Sequence, residues 1–247
     1  MLRAFLRDLQ KFEQDGGYEF IIYNQRRCFA GTIAFISGDN LGSQYLVQGY
    51  YEQCQKLDQG EHFKKTYGLN QFSLLNNSKY YHVIGGLPPD AMHDILEGVL
   101  QYIVKELLKE VLFEKRYFKL DDLNKRMQAF YFGYHNDTNK PAPIQAQRLL
   151  SSDNSLKQHA NQMWCLGLHF PFLIGDLIEV EDQHRGLLCT SLQIVRIIFT
   201  PIVSRKQVSY LQILIQKLLQ NFKELFPECS MIPKMHYMVY MPRAILQ

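Results

Sequence analysis

The polar residues best placed to act together chemically lie in the segment 87–112, LPPDAMHDILEGVLQYIVKELLKEVL. Asp90, His93 and Glu97 follow one another at steps of three and four residues, which places their side chains on one side of a helix. Carboxylate and imidazole groups are metal ligands, so this face predicts a candidate metal site. The alternative is structural: Asp90 caps the helix, His93 packs, and Glu97 faces solvent.

A further acidic candidate is Asp39, which follows the apolar run 29–37, FAGTIAFIS. Nearly continuous apolar residues are typical of a strand that is covered on both faces. The carboxyl end of such a strand is where α/β sheets bind their ligands, so Asp39 is predicted to face a cleft. The alternative is that Asp39 and Asn40 simply close a turn, since both residue types favour turns.

The helix over 87–112 is the element that positions the first of these groups. Its two prolines fit a first helical turn, where a missing N–H costs nothing, and Asp90 is predicted to be the N-cap. Apolar residues at helical spacing predict a stripe that faces the core, packed against the helices that carry Trp164 and Leu192. The stripe consists of Met92, Leu96, Val99, Ile103 and Leu107.

The rest of the chain predicts a mostly α fold with a small β portion. An amphipathic N-terminal helix is closed by Gly16-Gly17, and an α/β portion covers 1–86 before a helical bundle over 87–247. Three strands are expected, over 18–23, 29–37 and 80–84, with a turn at 24–27 joining the first two as a hairpin. Further helices are expected over 118–132, 154–173, 186–202 and 207–226.

Composition narrows the classes of function. The chain has 247 residues, 47% of them hydrophobic, and a net charge of +3 that neither requires nor excludes a polyanionic partner. It has no run that could span a bilayer and no signal peptide, and its five scattered cysteines indicate reduced thiols in an intracellular protein. Its basic doublets are dispersed, so they fit a solvated surface as well as a phosphate-binding track. They are Arg26-Arg27, Lys64-Lys65, Lys115-Arg116 and Arg205-Lys206.

Four segments, in order along the chain, resemble a family of transposon-derived proteins of animal genomes. The family is similar to the DDE transposases of the CACTA and Kyakuja–Dileera–Zisupton type. The segments are GDNLG at 38–42, YHVIGGLPPDAMHDILEGVLQYIVKELL at 81–108, QMWCLGLHFPFLIGDLIE at 162–179 and IPKMHYMVYMPR at 232–243.

This resemblance implies a fold and a set of functional residues. The portion 1–86 is expected to be part of an RNase H-like α/β core, and 87–247 a helical insertion. Asp39 matches the second of three catalytic, metal-binding carboxylates, and Asp90 with His93 matches the Cys/Asp-x-x-His element that follows it in several DDE superfamilies. The first carboxylate is expected upstream of Met1 and the third after Gln247.

The expected function follows from that incomplete triad. Cleavage of a phosphodiester by two Mg²⁺ or Mn²⁺ ions needs several carboxylates that hold both metals, and one aspartate does not supply them. We therefore expect a transposase-derived chain that binds no metal, catalyses nothing and contacts DNA weakly, in the nucleus where that contact is retained. The alternatives are a helical protein-interaction domain with no nucleic-acid role and a working metal-dependent nuclease. Self-association is compatible with each, and no small-molecule substrate is indicated.

Overall fold

The structure, a computed structural model, describes residues 2–33, 74–81 and 89–246. Over these residues the chain is mostly helical with one two-stranded sheet, which agrees with the prediction of a mostly α fold with a small β portion. The chain divides into two compact units, an N-terminal unit of Met1–Asp90 and a helical unit of Ala91–Gln247. Asp39 lies outside the described residues, as do the segment 38–42 and residues 34–37 of the predicted strand 29–37. At residues 30–33 that predicted strand is not present.

The N-terminal unit begins with helix α1 (Leu2–Phe12), and its chain reverses through Gly16 and Gly17, both at positive φ. Strands β1 (Tyr18–Ile22) and β2 (Gln25–Phe29) then form an antiparallel hairpin. The predicted turn at 24–27 is wrong. Tyr23 and Asn24 both take positive φ, as a tight primed turn requires, so the second strand starts at Gln25 and ends where it was expected to begin.

A buried carboxylate, that of Glu13, connects the residue after α1 to residues 32 and 78–79 of this unit. Glu13, which is 3% exposed, accepts hydrogen bonds from the Thr32 hydroxyl at 2.5 Å, the Ser78 hydroxyl at 2.5 Å and the Lys79 amide at 2.8 Å. A short 3₁₀ helix, Leu74–Asn77, precedes this contact. The predicted strand over 80–84 is not present at residues 80 and 81, and its remaining residues lie outside the described ranges.

The helical unit is built around one long helix, α2, which is made of three consecutive segments. Met92–Val99 is π-helical, Leu100–Lys109 is α-helical and Glu110–Glu114 is π-helical again. A 3₁₀ turn, Tyr134–Asn139, lies between the third and fourth helices. The helices after α2 are α3 (Leu120–Ala129), α4 (Ala146–Leu150), α5 (Ala160–Ile174), α6 (Gln183–Ile198), α7 (Arg205–Leu225), α8 (Pro233–Met238) and α9 (Met241–Ile245).

The predicted core stripe of α2 is correct at four of its five positions. Leu96, Val99, Ile103 and Leu107 are at most 4% exposed and belong to the main hydrophobic core, which Trp164 and Leu192 also contact. Met92 is 42% exposed, so its assignment to the stripe is wrong. In the π-helical first segment each hydrogen bond spans five residues, and a residue four positions before Leu96 is rotated off the core face.

Gly167 allows α5 to approach two other helices at once. A Cβ built at this position would lie 3.2 Å from Leu100 on α2 and 3.3 Å from Leu192 on α6. Pro171 lies inside α5, which continues past it to Ile174. None of the described helices combines the length and the apolar character that a membrane-spanning helix needs.

Candidate functional site

The structure brings two of the predicted site residues together on α2. His93 Nε2 lies 3.8 Å from Glu97 Oε2, and both side chains are about 30% exposed. Asp90 is half-buried, and the N-cap of the first segment of α2 is the next residue, Ala91, so the prediction that Asp90 is the N-cap is wrong by one position. In the part of the chain that is described, no three or more His, Cys, Asp or Glu side chains are grouped so that they could hold a metal ion.

Glu97 has a second contact that a sequence pattern does not reveal. Its Oε1 accepts a hydrogen bond of 3.1 Å from the amide of Ala160, the first residue of α5. A carboxylate at a helix N-terminus satisfies a free amide and interacts favourably with the helix dipole. One oxygen of Glu97 is therefore used to start α5 and the other faces His93.

Beyond Glu97, polar residues recur on α2 at intervals of four and become buried. We call this set the polar stripe: Glu97, Gln101 and Lys105. Gln101 is 1% exposed, and its Oε1 accepts from Ser155 Oγ at 2.9 Å and from the Leu156 amide at 3.0 Å. Its Nε2 donates to the Gln158 carbonyl at 2.7 Å. One buried amide thus hydrogen-bonds to three residues of the chain that leads into α5: Ser155, Leu156 and Gln158.

Lys105 is equally buried and binds the beginning of the same segment. Its Nζ donates to the carbonyl of Ser151 at 2.7 Å and also to the carbonyl of Asp153. Burial lowers the pKa of this amine. Together the polar stripe holds residues 151–160, which explains why α5 begins at Ala160 and not near 154 as the sequence predicted.

Lys234, on α8, lies near the candidate site although no motif in the sequence indicates it. Its Nζ donates to the carbonyl oxygen of His93 at 2.7 Å, and its side chain crosses α2 at Gly98. A Cβ at position 98 would lie only 2.3 Å from Lys234 Cδ, so glycine leaves the path open. The lysine belongs to the segment 232–243 noted for its resemblance, but nothing in that pattern points to a contact with His93.

A second charged cluster, the Asp182 cluster, lies at the start of α6. The Asp182 side chain is 3% exposed and accepts from Lys115 Nζ at 2.7 Å, Tyr117 Oη at 2.9 Å and the His184 amide at 2.8 Å. His184 Nδ1 lies 2.8 Å from the same carboxylate, so this nitrogen carries the proton and donates it. Burial alone would raise the pKa of Asp182, but these hydrogen bonds outweigh burial and hold it well below its ordinary value.

Neither group of residues fits the two-metal chemistry that the resemblance implies. A pair of Mg²⁺ or Mn²⁺ ions needs several carboxylates with oxygens that are free to bind metal. Glu97 already accepts the Ala160 amide, and every hydrogen-bonding partner found for Asp182 is a donor from the chain itself. What both carboxylates do in this structure is start a helix.

The chain was also compared with known proteins. Among models of protein families, curated proteins and solved structures, no match to this chain was found.

Proposed function

We propose that this chain is a transposase-derived protein that has kept a helical framework and a weak contact with DNA but does not cut or join DNA. In this proposal the N-terminal unit descends from an RNase H-like core, and the ancestral enzyme used Mg²⁺ or Mn²⁺. The four segments that resemble the family support the ancestry. A nuclear location follows from the DNA contact.

The observation that carries the proposal of inactivity is the hydrogen bond between Glu97 and the amide of Ala160. A carboxylate that helps to start α5 has one oxygen fewer for a metal ion. Its neighbour His93 supplies a single nitrogen at 3.8 Å, which is an ion-pair distance. One imidazole nitrogen and one carboxylate oxygen are too few ligands to hold the two metal ions that stabilise the attacking and the leaving oxygen.

The proposal is tested by incubating the purified 247-residue protein with supercoiled plasmid in Mg²⁺, in Mn²⁺ and in EDTA. We expect the same low level of nicked plasmid in all three conditions, and no saturable heat of Mn²⁺ binding in calorimetry. Asp39→Asn and Glu97→Gln, prepared in parallel, serve as controls for contaminating nucleases. Cutting that needs metal and is abolished by Asp39→Asn would overturn the proposal, because Asp39 would then be a working catalytic ligand.

A second candidate, a helical protein-interaction domain with no nucleic-acid role, is favoured by an apolar surface on α5. Leu168 and Phe172 lie one helical turn apart and are 37% and 73% exposed. Large exposed apolar residues at adjacent turns are common at protein interfaces. The two candidates are distinguished by mobility shift with duplex DNA at several salt concentrations, since a phosphate contact weakens steeply with salt and the second candidate predicts no shift.

A further inference from the structure

The charge of the helical unit is unevenly distributed along the chain. Between Asp182 and Glu224 there is no aspartate or glutamate. The same stretch, which forms α6 and nearly all of α7, contains six basic residues: Arg185, Arg196, Arg205, Lys206, Lys217 and Lys223. A stretch of this composition has a positive potential that no acidic residue within it offsets.

Four residues of α7 form one exposed face of this hairpin. Lys206, Tyr210, Ile213 and Lys217 recur at steps of four, three and four, so they lie along one side of the helix, and all four are exposed. The second lysine follows the first by eleven positions of α-helix, which is a distance of roughly 16 Å along the axis. The face is therefore long enough to contact more than one phosphate of a duplex.

Helix α6 extends this face sideways. The hydroxyl of Tyr210 donates to Gln193 Oε1 at 3.5 Å, which places the two side chains next to each other across the hairpin. Arg196 follows Gln193 by three residues, and Lys206 precedes Tyr210 by four. In an antiparallel hairpin both basic residues therefore lie on the same side of that contact, toward the connection between the helices. We call this surface the hairpin face: Gln193, Arg196, Lys206, Tyr210, Ile213 and Lys217.

The basic residues of the hairpin face differ from the cations of the helical unit that are paired with a carboxylate. Lys125, Arg126, Lys140 and Lys157 each lie within ion-pair distance of an aspartate. Over residues 89–246, none of the three cations of the hairpin face makes such a pair, and neither does Arg205 beside them. Their charge is available to a ligand.

We infer that the hairpin face binds the phosphate backbone of duplex DNA, an assignment that rests on the DNA contact in the proposed function and gives it a location. Arginine, lysine, glutamine and tyrosine are the side chains that donate to phosphate oxygens. A protein partner would instead require an apolar centre, and Ile213 is the single large aliphatic residue of this face. No base-reading group is specified, so the contact is independent of sequence.

The test is fluorescence anisotropy with a labelled 20-base-pair duplex, titrated with the full chain at several salt concentrations. The variant Lys206→Gln/Lys217→Gln removes two cations of the hairpin face. The matched control Lys125→Gln/Lys140→Gln removes the same charge from two lysines that are paired with aspartates. Circular dichroism of each variant checks that the helices are intact.

We expect the variant of the hairpin face to bind the duplex at least tenfold more weakly at low salt. The slope of its log affinity against log salt concentration should be shallower by about 2, since each lost phosphate contact removes about 0.9 from the slope. The control should keep the slope of the wild type. Equal slopes for the two variants, with DNA binding retained, would overturn the hairpin face and leave the proposed function standing. Absence of binding by the wild type would overturn both. Unlabelled polyglutamate and unlabelled DNA are also added as competitors at equal total charge. If polyglutamate displaces the labelled duplex as well as DNA does, the assignment to DNA is overturned.

Discussion

Replacing Asp182 with asparagine is expected to lower the free energy of unfolding by about 3 kcal/mol, because this carboxylate joins the end of α2 to the start of α6. Asparagine keeps a side-chain oxygen that can accept from the His184 amide, so the N-cap of α6 contributes little to this cost. The loss comes from the removed charge, because leaving a buried partner charge uncompensated costs about 3–5 kcal/mol. Since Lys115 is 29% exposed and can turn toward water, the lower end of that range is expected.

The assay is urea unfolding at pH 7 followed by far-ultraviolet circular dichroism, and Asp176→Asn is the matched control. Asp176 binds Arg126 through two hydrogen bonds of 2.6 and 2.9 Å, but its side chain is 61% exposed. An exposed ion pair contributes at most about 1 kcal/mol. If Asp182→Asn costs no more than Asp176→Asn, burial does not set the strength of the Asp182 cluster and the reasoning is refuted.

The same residue predicts how stability changes with pH. The folded pKa of Asp182 lies below that of the unfolded chain, so between the two values the unfolded state binds more protons and stability rises with pH. Its contribution is therefore complete above the unfolded pKa of about 4 and is lost as the pH falls below it. The difference between wild type and Asp182→Asn should be constant from about pH 5 to 7 and should shrink in more acidic buffer.

Two further substitutions test the packing of α2. Leu96→Ala should lower the free energy of unfolding by about 2–5 kcal/mol, because Leu96 is 4% exposed within the core. Met92→Ala should lower it by less than about 0.5 kcal/mol. Similar losses for the two variants, measured by chemical unfolding, would mean that the π-helical segment does not turn Met92 away from the core. Gln101→Ala should lower the free energy of unfolding by about 2–4 kcal/mol, because its buried partners lose their hydrogen bonds. It should also speed proteolysis between residues 151 and 160, and unchanged cleavage there would contradict the role of the polar stripe.

The sequence was sufficient to predict the elements whose signals are local. The amphipathic helix before Gly16-Gly17 and the long helix of the helical unit follow from periodicity and from glycine, and both are present. The hairpin was predicted with its turn too late, because the polar run 24–27 resembles a loop. In the structure Arg26 and Arg27 are strand residues on an exposed two-stranded sheet, where polar side chains cost nothing.

The parts that were missed depend on hydrogen-bond geometry or on contacts distant in sequence. Helical spacing assumes bonds between residues four apart, so the π-helical segment changed the face on which Met92 lies. The start of α5 was placed near 154 because nothing local ends the helical pattern there. It begins at Ala160 because Gln101 and Lys105, some fifty residues earlier, hold the preceding segment.

The distinction between a metal site and a structural polar stripe on α2 depends on burial. In its α-helical segment nine of the ten residues are buried, including Gln101 and Lys105. Buried polar groups must be hydrogen-bonded, so in such a helix a polar residue has a partner from the chain wherever no ligand provides one. Glu97 lies one turn before this segment. One of its oxygens accepts a hydrogen bond from the Ala160 amide, and the other lies within ion-pair distance of His93. Residue types at helical spacing therefore identify which side chains share a face, but the bonds that their atoms already make determine whether the face can bind a ligand.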